Sequence, residues 1–301
     1  LLVPESLMDY VTGLPQITYL EKPKLLYFAD AFVRSISCIT PVQEGVMGLS
    51  GNGVLLACID SGVDYAHPDF CAPDGTSRIA ILWDQTIPGN PPMGYALGSV
   101  YTRQQINEAL ASSTPEERFA LVPSRDVTGH GTAVLGIAAG NGRSSAYAAM
   151  RGVAPEATLV VVKLGNPDPA DLPRTSQLLQ AVDFCVRYAL LVERPLVINL
   201  SFGNNYGSHS GDSLLETYLN AVSNLGQNVI CIGAGNEGDT GRHYAGNLKS
   251  DRKSSGQTQT VRATSDPAAT SAVSATADRA VSVEFQVGAY ESSFSLQIWK
   301  V

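Results

Sequence analysis

The stretch ACIDSGVDYAHPDF, residues 57 to 70, closes an apolar run with a lone carboxylate, Asp60, and follows it at once with Ser-Gly. Taken back to Val54, the run reads VLLACI over residues 54 to 59. Three later runs have the same character: ATLVVVKL (157 to 164), PLVINLSF (195 to 202) and NVICIGAG (228 to 235). Short, continuous apolar runs, as opposed to alternating ones, suit strands buried on both faces. Between them, SQLLQAVDFCVRYALLV sets Leu178, Leu179, Val182, Cys185, Val186 and Ala189 on one helical face. GDSLLETYLNAVSNLG does the same with Leu214, Leu215, Tyr218, Val222 and Leu225, and Gly226 is a natural helix stop. Alternating strands and helices imply an α/β fold, a doubly wound and mostly parallel sheet with helices on both faces. In such sheets the ligand site lies beyond the carboxyl ends of the strands. Asp60, Ser201 to Gly203 and Gly233 to Asn236 all fall there. An Asp before a turn is also a common turn former, so the other strand ends decide its meaning.

Composition narrows the function classes. The 301 residues carry 44% hydrophobic and 16% charged side chains, enough for one large α/β domain or two smaller ones. No apolar run approaches the roughly 18 residues of a membrane span, so no membrane partner is expected. A formal net charge of -8 opposes the phosphates of a nucleic acid, so none is expected as partner. Five scattered cysteines, at 38, 58, 71, 185 and 231, show no metal-binding spacing. Those at 58, 185 and 231 sit in apolar segments, as small hydrophobes do. The N-terminal stretch LLVPESLMDYVTGLPQ has no basic region ahead of an apolar core. With free cysteines, this points to a cytoplasmic or spore-associated protein over classical secretion.

Two segments leave the α/β pattern. Residues 71 to 126 hold several turn signals and one helical piece around TRQQINEAL, and are expected as a surface insertion. Residues 239 to 280 are rich in Ser, Thr, Ala and Gly. VSVEFQV and SSFSLQIWKV then alternate or nearly alternate apolar and polar residues around GAYE, the signal of an antiparallel hairpin. A different, β-rich module is expected from about residue 245.

The second motif is DVTGHGTAVLGIAAGN, residues 126 to 141. His130 between two glycines suits an imidazole at the start of a helix with bare backbone beside it, open to a substrate. The third is CIGAGNEG, residues 231 to 238. Asn236 there is either a left-handed turn residue or an amide that donates to a developing oxyanion.

The order Asp60 in DSGVDYAHPDF, His130 in GHGT, then NLSFG, then Asn236 in GAGNEG resembles the subtilisin-like serine proteases, peptidase S8 family. The resemblance implies an Asp-His-Ser triad. Asp60 would hold the Nδ1 hydrogen of His130, and His130 would move the nucleophile's proton. It also implies that Asn236 donates to the oxyanion, and that Ser201, Phe202 and Gly203 line the bound peptide and one wall of the S1 pocket. It implies no organic cofactor; calcium occurs in the family, but no acidic loop with EF-hand spacing marks a site. The implied partners are a protein or peptide substrate and the chain's own prodomain as intramolecular inhibitor.

One element of the pattern is missing. A Gly-Thr-Ser segment opening a helix should follow the Asn, and none lies between Asn236 and Val301. Gly75-Thr76-Ser77 has the right local sequence but precedes His130, which would require a different topology. In the clostridial Csp-type germination subtilases a jelly-roll domain is inserted between the oxyanion Asn and the catalytic Ser, and GNEGDTGRHYAG followed by β-patterned sequence is similar to that arrangement. On this resemblance residues 1 to 35 are the end of a prodomain, with ITYLEKPKLLYF (17 to 28) as its last strand. Residues 36 to 244 are the front of the catalytic domain, 245 to 301 begin the inserted module, and the Ser lies beyond. The rival is an inactive pseudoprotease acting as a binding or regulatory module. A nucleotide-binding α/β protein is disfavoured, because no GxGxxG or GxxxxGKS follows any strand.

Overall fold

The computed structural model describes residues 34–145, 150–166, 172–203 and 213–236, the single residues 14 and 211, and the backbone of four more strands between 243 and 299. The chain divides into two compact units, Leu1–Leu49 and Ser50–Val301. In the first, helix α1 spans Ile39–Glu44 with Pro41 in its opening turn, where a missing N–H breaks no intrahelical bond. The Arg34 guanidinium donates to Gln43 Oε1 at 3.1 Å. The expected prodomain segment lies largely outside the described residues.

The second unit is built on a six-stranded sheet. Its strands are β1 (Leu55–Asp60), β2 (Ile79–Asp84), β3 (Ser99–Thr102), β4 (Thr158–Lys163), β5 (Leu196–Leu200) and β6 (Asn228–Ile232), in the order β3-β2-β4-β1-β5-β6. All are parallel except β3, which pairs antiparallel with β2. The helices are α2 (Arg103–Leu110), α3 (Pro115–Leu121), α4 (His130–Ala139), α5 (Thr175–Leu191) and α6 (Leu214–Ser223). Alternate residues of one strand feed opposite layers, as the pleat requires. Leu55, Ala57 and Ile59 of β1 pack into a core shared with α5 and α6. Leu56 and Cys58 pack into another, shared with Leu135 of α4 and Ile106 of α2. The expected sheet with helices on both faces is present.

Three details differ from the sequence reading. Residues 71 to 126 are not only a surface insertion, because their RIAILW run forms β2 inside the sheet, between β4 and β3. Ile79, Leu82 and Trp83 are fully buried, and the turn-rich stretch after them returns as β3 to cover the edge. On α6 the face turned to the sheet is centred on Leu219 and Val222, which leaves Leu214 at the first helical position and Leu225 beyond the helix both exposed. Near the C-terminus the two apolar-patterned segments do not pair with each other. Strand β10 (Phe294–Trp299) pairs antiparallel with β7 (His243–Leu248), and β9 (Ser282–Phe285) with β8 (Gln259–Arg262). Alternation marks a strand but carries no information about its partner.

Helix starts follow local chemistry. Thr102, Thr114 and Ser213 each cap a helix by accepting from the third backbone N–H, and Gln105, Glu117 and Glu216 complete capping boxes. Among the described residues no helix is long and apolar enough to cross a membrane.

Candidate active site

Asp60 is the last residue of β1, and its register partner on β4 is Lys163. Its carboxylate is almost wholly enclosed, with the side chain 3% exposed, whereas the His130 side chain is 53% exposed. Asp60 Oδ1 accepts from the Ser61 N–H at 2.7 Å and lies 2.7 Å from His130 Nδ1. Its Oδ2 is buried without a hydrogen-bond partner among the described residues. A carboxylate only accepts, so Nδ1 carries the hydrogen and Nε2 is left as the proton acceptor, aimed away from the buried anion. The contact therefore fixes the orientation of the ring.

The local sequence dictates why α4 begins at His130. Gly129, just before it, has φ 76, a left-handed conformation that glycine adopts without strain. Gly131, just after it, lies so close to the turn leaving β1 that a Cβ would meet the Gly62 carbonyl oxygen at 2.2 Å and Asp60 Oδ1 at 3.1 Å. Gly131→Ala should therefore push α4 off that turn, lower stability by about 1–3 kcal/mol and slow any reaction that uses His130. A thermal midpoint measured beside a rate checks both effects.

A hydrogen-bonded loop supports the pair. Asp126 Oδ1 accepts from Ser61 Oγ (2.8 Å), the Gly129 N–H (3.0 Å) and Thr128 Oγ1 (3.1 Å), and its Oδ2 accepts from the Thr132 N–H (2.8 Å) and Oγ1 (2.6 Å). Ser61 Oγ in turn accepts from the Gly131 N–H at 3.0 Å. Burial alone would raise the pKa of Asp126, but the hydrogen bonds from Thr132, Ser61 and Gly129 outweigh it and hold the carboxyl below its usual range. A depressed folded-state pKa means that the stabilisation is present above the unfolded carboxylate pKa and is lost as pH falls through the folded one. Denaturation midpoints of the wild type and Asp126→Asn should thus converge in acid and separate toward neutral pH.

The far end of α4 is also held. The Arg78 guanidinium donates to the Ala139 carbonyl at 2.7 Å and to those of Asp69 and Ala157 at 3.0 and 2.9 Å, and burial draws its pKa down to about 10.

The other expected residues stand at the carboxyl ends of neighbouring strands of the same sheet. Ser201, Phe202 and Gly203 follow β5 directly; Ser201 Oγ accepts from Asn199 Nδ2 at 2.9 Å, and Phe202 packs in part against the α5 core. Asn236 is exposed in a bend just past β6. The Gly233 N–H donates to the Leu200 carbonyl at 2.9 Å, which fixes the ends of β5 and β6 side by side. Ser77 is buried ahead of β2, at the opposite edge of the sheet from Asp60, and its Oγ accepts from the Ile79 N–H at 3.0 Å.

Sequence reading missed Asp126, Ser61 and Thr132. The available signal was an Asp three residues before a glycine at a helix start, a common side-chain-to-backbone turn. Burial pushes the thiols of Cys58 and Cys185 up, as expected of small apolar residues, whereas Cys231 lies exposed on the edge strand β6. Among the described residues no group of three or more His, Cys, Asp and Glu side chains could hold a metal ion.

A buried carboxylate held against a half-exposed imidazole at the carboxyl end of a parallel strand is an arrangement that can accept and return a proton. Residues 51–295 match the family model described as Peptidase_S8: Subtilase family, and the chain belongs to that family. It is similar to the solved Clostridium perfringens CspB protease, with 35% identity and a TM-score of 0.64 over 72% of this chain and 43% of that one. It is 30% identical over 205 residues to the major intracellular serine protease of Bacillus subtilis (strain 168), covering 68% of this chain and 49% of that protein. It is also 26% identical over 228 residues to subtilisin E of the same organism, covering 75% and 46%. The chain thus spans about half the length of these curated relatives. The fold is α/β and subtilisin-like.

Proposed function

We propose that the protein is a serine endopeptidase that cleaves protein or peptide substrates through acyl-enzyme chemistry, with its nucleophilic Ser beyond residue 301. The observation that carries this reading is the 2.7 Å contact between Asp60 Oδ1 and His130 Nδ1, which leaves Nε2 as the accepting nitrogen of a half-exposed side chain. As the Ser Oγ bonds to the scissile carbonyl carbon, His130 Nε2 takes its proton and Asp60 stabilises the imidazolium. The carbonyl oxygen gains negative charge, which the Asn236 amide neutralises by donating a hydrogen bond. The C–N bond then breaks, and His130 returns the proton to the leaving amine. Water repeats the sequence on the acyl ester and restores the Ser. Ser201 to Gly203, extending from β5, receive the substrate as an added strand.

Val229 and Ile232 are exposed on the edge strand β6. An apolar edge of this kind is normally covered by further chain. Residues 1 to 35 act as the end of an inhibitory prodomain and 245 to 301 open an inserted β module, in keeping with the antiparallel pairs β7–β10 and β8–β9.

The test is hydrolysis of an unfolded protein by the full-length, prodomain-released protein, with product termini mapped by mass spectrometry. Cleavage at defined positions is expected. Folded protein that binds the substrate but leaves it uncut would replace the peptidase reading with that of a pseudoprotease acting as a binding module.

A further inference from the structure

Asp60 and His130 come from segments seventy residues apart, yet their mutual geometry depends on more than their own contact. Each is followed directly by a member of one hydrogen-bonded loop: Ser61 after Asp60, Gly131 after His130. Both meet at a single side chain. Ser61 Oγ donates to Asp126 at 2.8 Å while accepting from the Gly131 N–H at 3.0 Å. Asp126 also takes the Gly129 N–H at 3.0 Å, on the other side of His130, and both donors of Thr132. With Thr128 Oγ1, whose one hydrogen is shared with Ser61 Oγ, five donors converge on one carboxylate, more than a turn residue needs for its own conformation.

Asp126 is itself anchored independently of this loop. The preceding carbonyl, that of Arg125, accepts from Lys163 Nζ at 2.5 Å, and the Arg125 guanidinium stacks over the Phe119 ring at 3.7 Å from its centroid. Lys163 is buried and is the β4 register partner of Asp60. The row of the sheet that carries Asp60 therefore also fixes the loop that leads into His130.

We propose that Asp126 is a positioning residue, which sets the distance and angle between His130 and Asp60 by clamping the backbone on both sides of His130 to the residue after Asp60. Its negative charge is required, because neutral Asn offers one accepting oxygen where the loop presents donors to both. This inference rests on reading Asp60 and His130 as an acid–base pair.

The test reads the pair directly and needs no nucleophile. In the full-length protein labelled with ¹⁵N at histidine, the Nδ1 proton of His130, held on Asp60, gives a far-downfield resonance, assigned by its loss in His130→Ala. Asp126→Ala and Asp126→Asn should both lose or broaden that signal through faster solvent exchange while their backbone spectra remain folded. Asp74→Asn, which changes an exposed carboxylate outside the clamp, should leave it intact. Turnover in the Asp126 variants should fall about 100-fold with KM unchanged, the scale of a misplacement near 1 Å. Asn is close in shape to Asp, so it serves even where the Ala variant fails to fold. A wild-type signal that persists in folded Asp126→Asn overturns the positioning role alone. Absence of the signal from the wild type overturns the acid–base pair and the clamp with it.

Discussion

His130→Ala in the full-length protein should lower peptide turnover by about 10⁴-fold or more, because loss of the base leaves only substrate binding and oxyanion stabilisation to act on the barrier. The structure explains why no neighbour can take over. The carboxylate at the end of β1 is enclosed and has His130 as its only side-chain partner among the described residues. Asp60→Asn should cost about as much, near 10⁴-fold, by a different route. An amide in place of the carboxylate turns an acceptor toward Nδ1 into a donor, so the imidazole adopts the other tautomer and presents an N–H where the nucleophile needs a lone pair. Steady-state kinetics with one peptide substrate check both. The expected pattern is a fall in kcat with little change in KM, since neither residue is asked to hold the substrate.

Trp83→Ala should carry the largest stability cost, about 3–5 kcal/mol, which is a sizeable part of the 5–15 kcal/mol typical of a folded domain. Trp83 is fully buried in β2. Its ring lies 4.8 Å from that of Tyr95 and 5.0 Å from that of Phe184, and its indole N–H donates to the Leu97 carbonyl at 3.1 Å. One side chain thus joins β2, the segment leading to β3, and α5. Truncation removes packing from all three and leaves the Leu97 carbonyl without that donor. Chemical denaturation followed by fluorescence and by circular dichroism checks it. Trp83→Phe, which keeps most of the ring, should lose much less.

The same tryptophan shows where the sequence could be read and where it could not. The four continuous apolar runs became β1, β4, β5 and β6; the inner strands β1 and β4 are buried almost throughout, as an unbroken run requires, whereas β6 at the edge leaves Val229, Cys231 and Ile232 exposed. RIAILW is a fifth such run, but the turn signals around it suggested an excursion. Only the pairing of Trp83 with Val162 of β4 shows it to be inside the sheet. Partner choice is a tertiary property, and the nested pairing of β7 with β10 and of β8 with β9 is another case.

The site divides in a similar way. Asp60 and His130 were legible because each stands in a glycine-marked turn at an element boundary, where a charged or titratable group is unusual. Asp126 was hidden by resembling an ordinary turn-forming Asp. Its five hydrogen bonds depend on Ser61 and Thr132 approaching from both sides, which no local pattern encodes. Leu214 illustrates a smaller effect of the same kind: helical periodicity gives a face, but which residue at its rim meets the sheet depends on how the helix is rotated in place.

The most direct measurement is to treat the full-length, prodomain-released protein with a fluorophosphonate, which bonds to an activated serine, and to locate the adduct by peptide mapping. An adduct on a single Ser beyond residue 301, absent from His130→Ala, is the expected result and would place the nucleophile against the base described above. An adduct on a Ser within residues 1 to 301, or none on folded protein in which His130 still holds its Nδ1 hydrogen on Asp60, would contradict the proposed catalytic role.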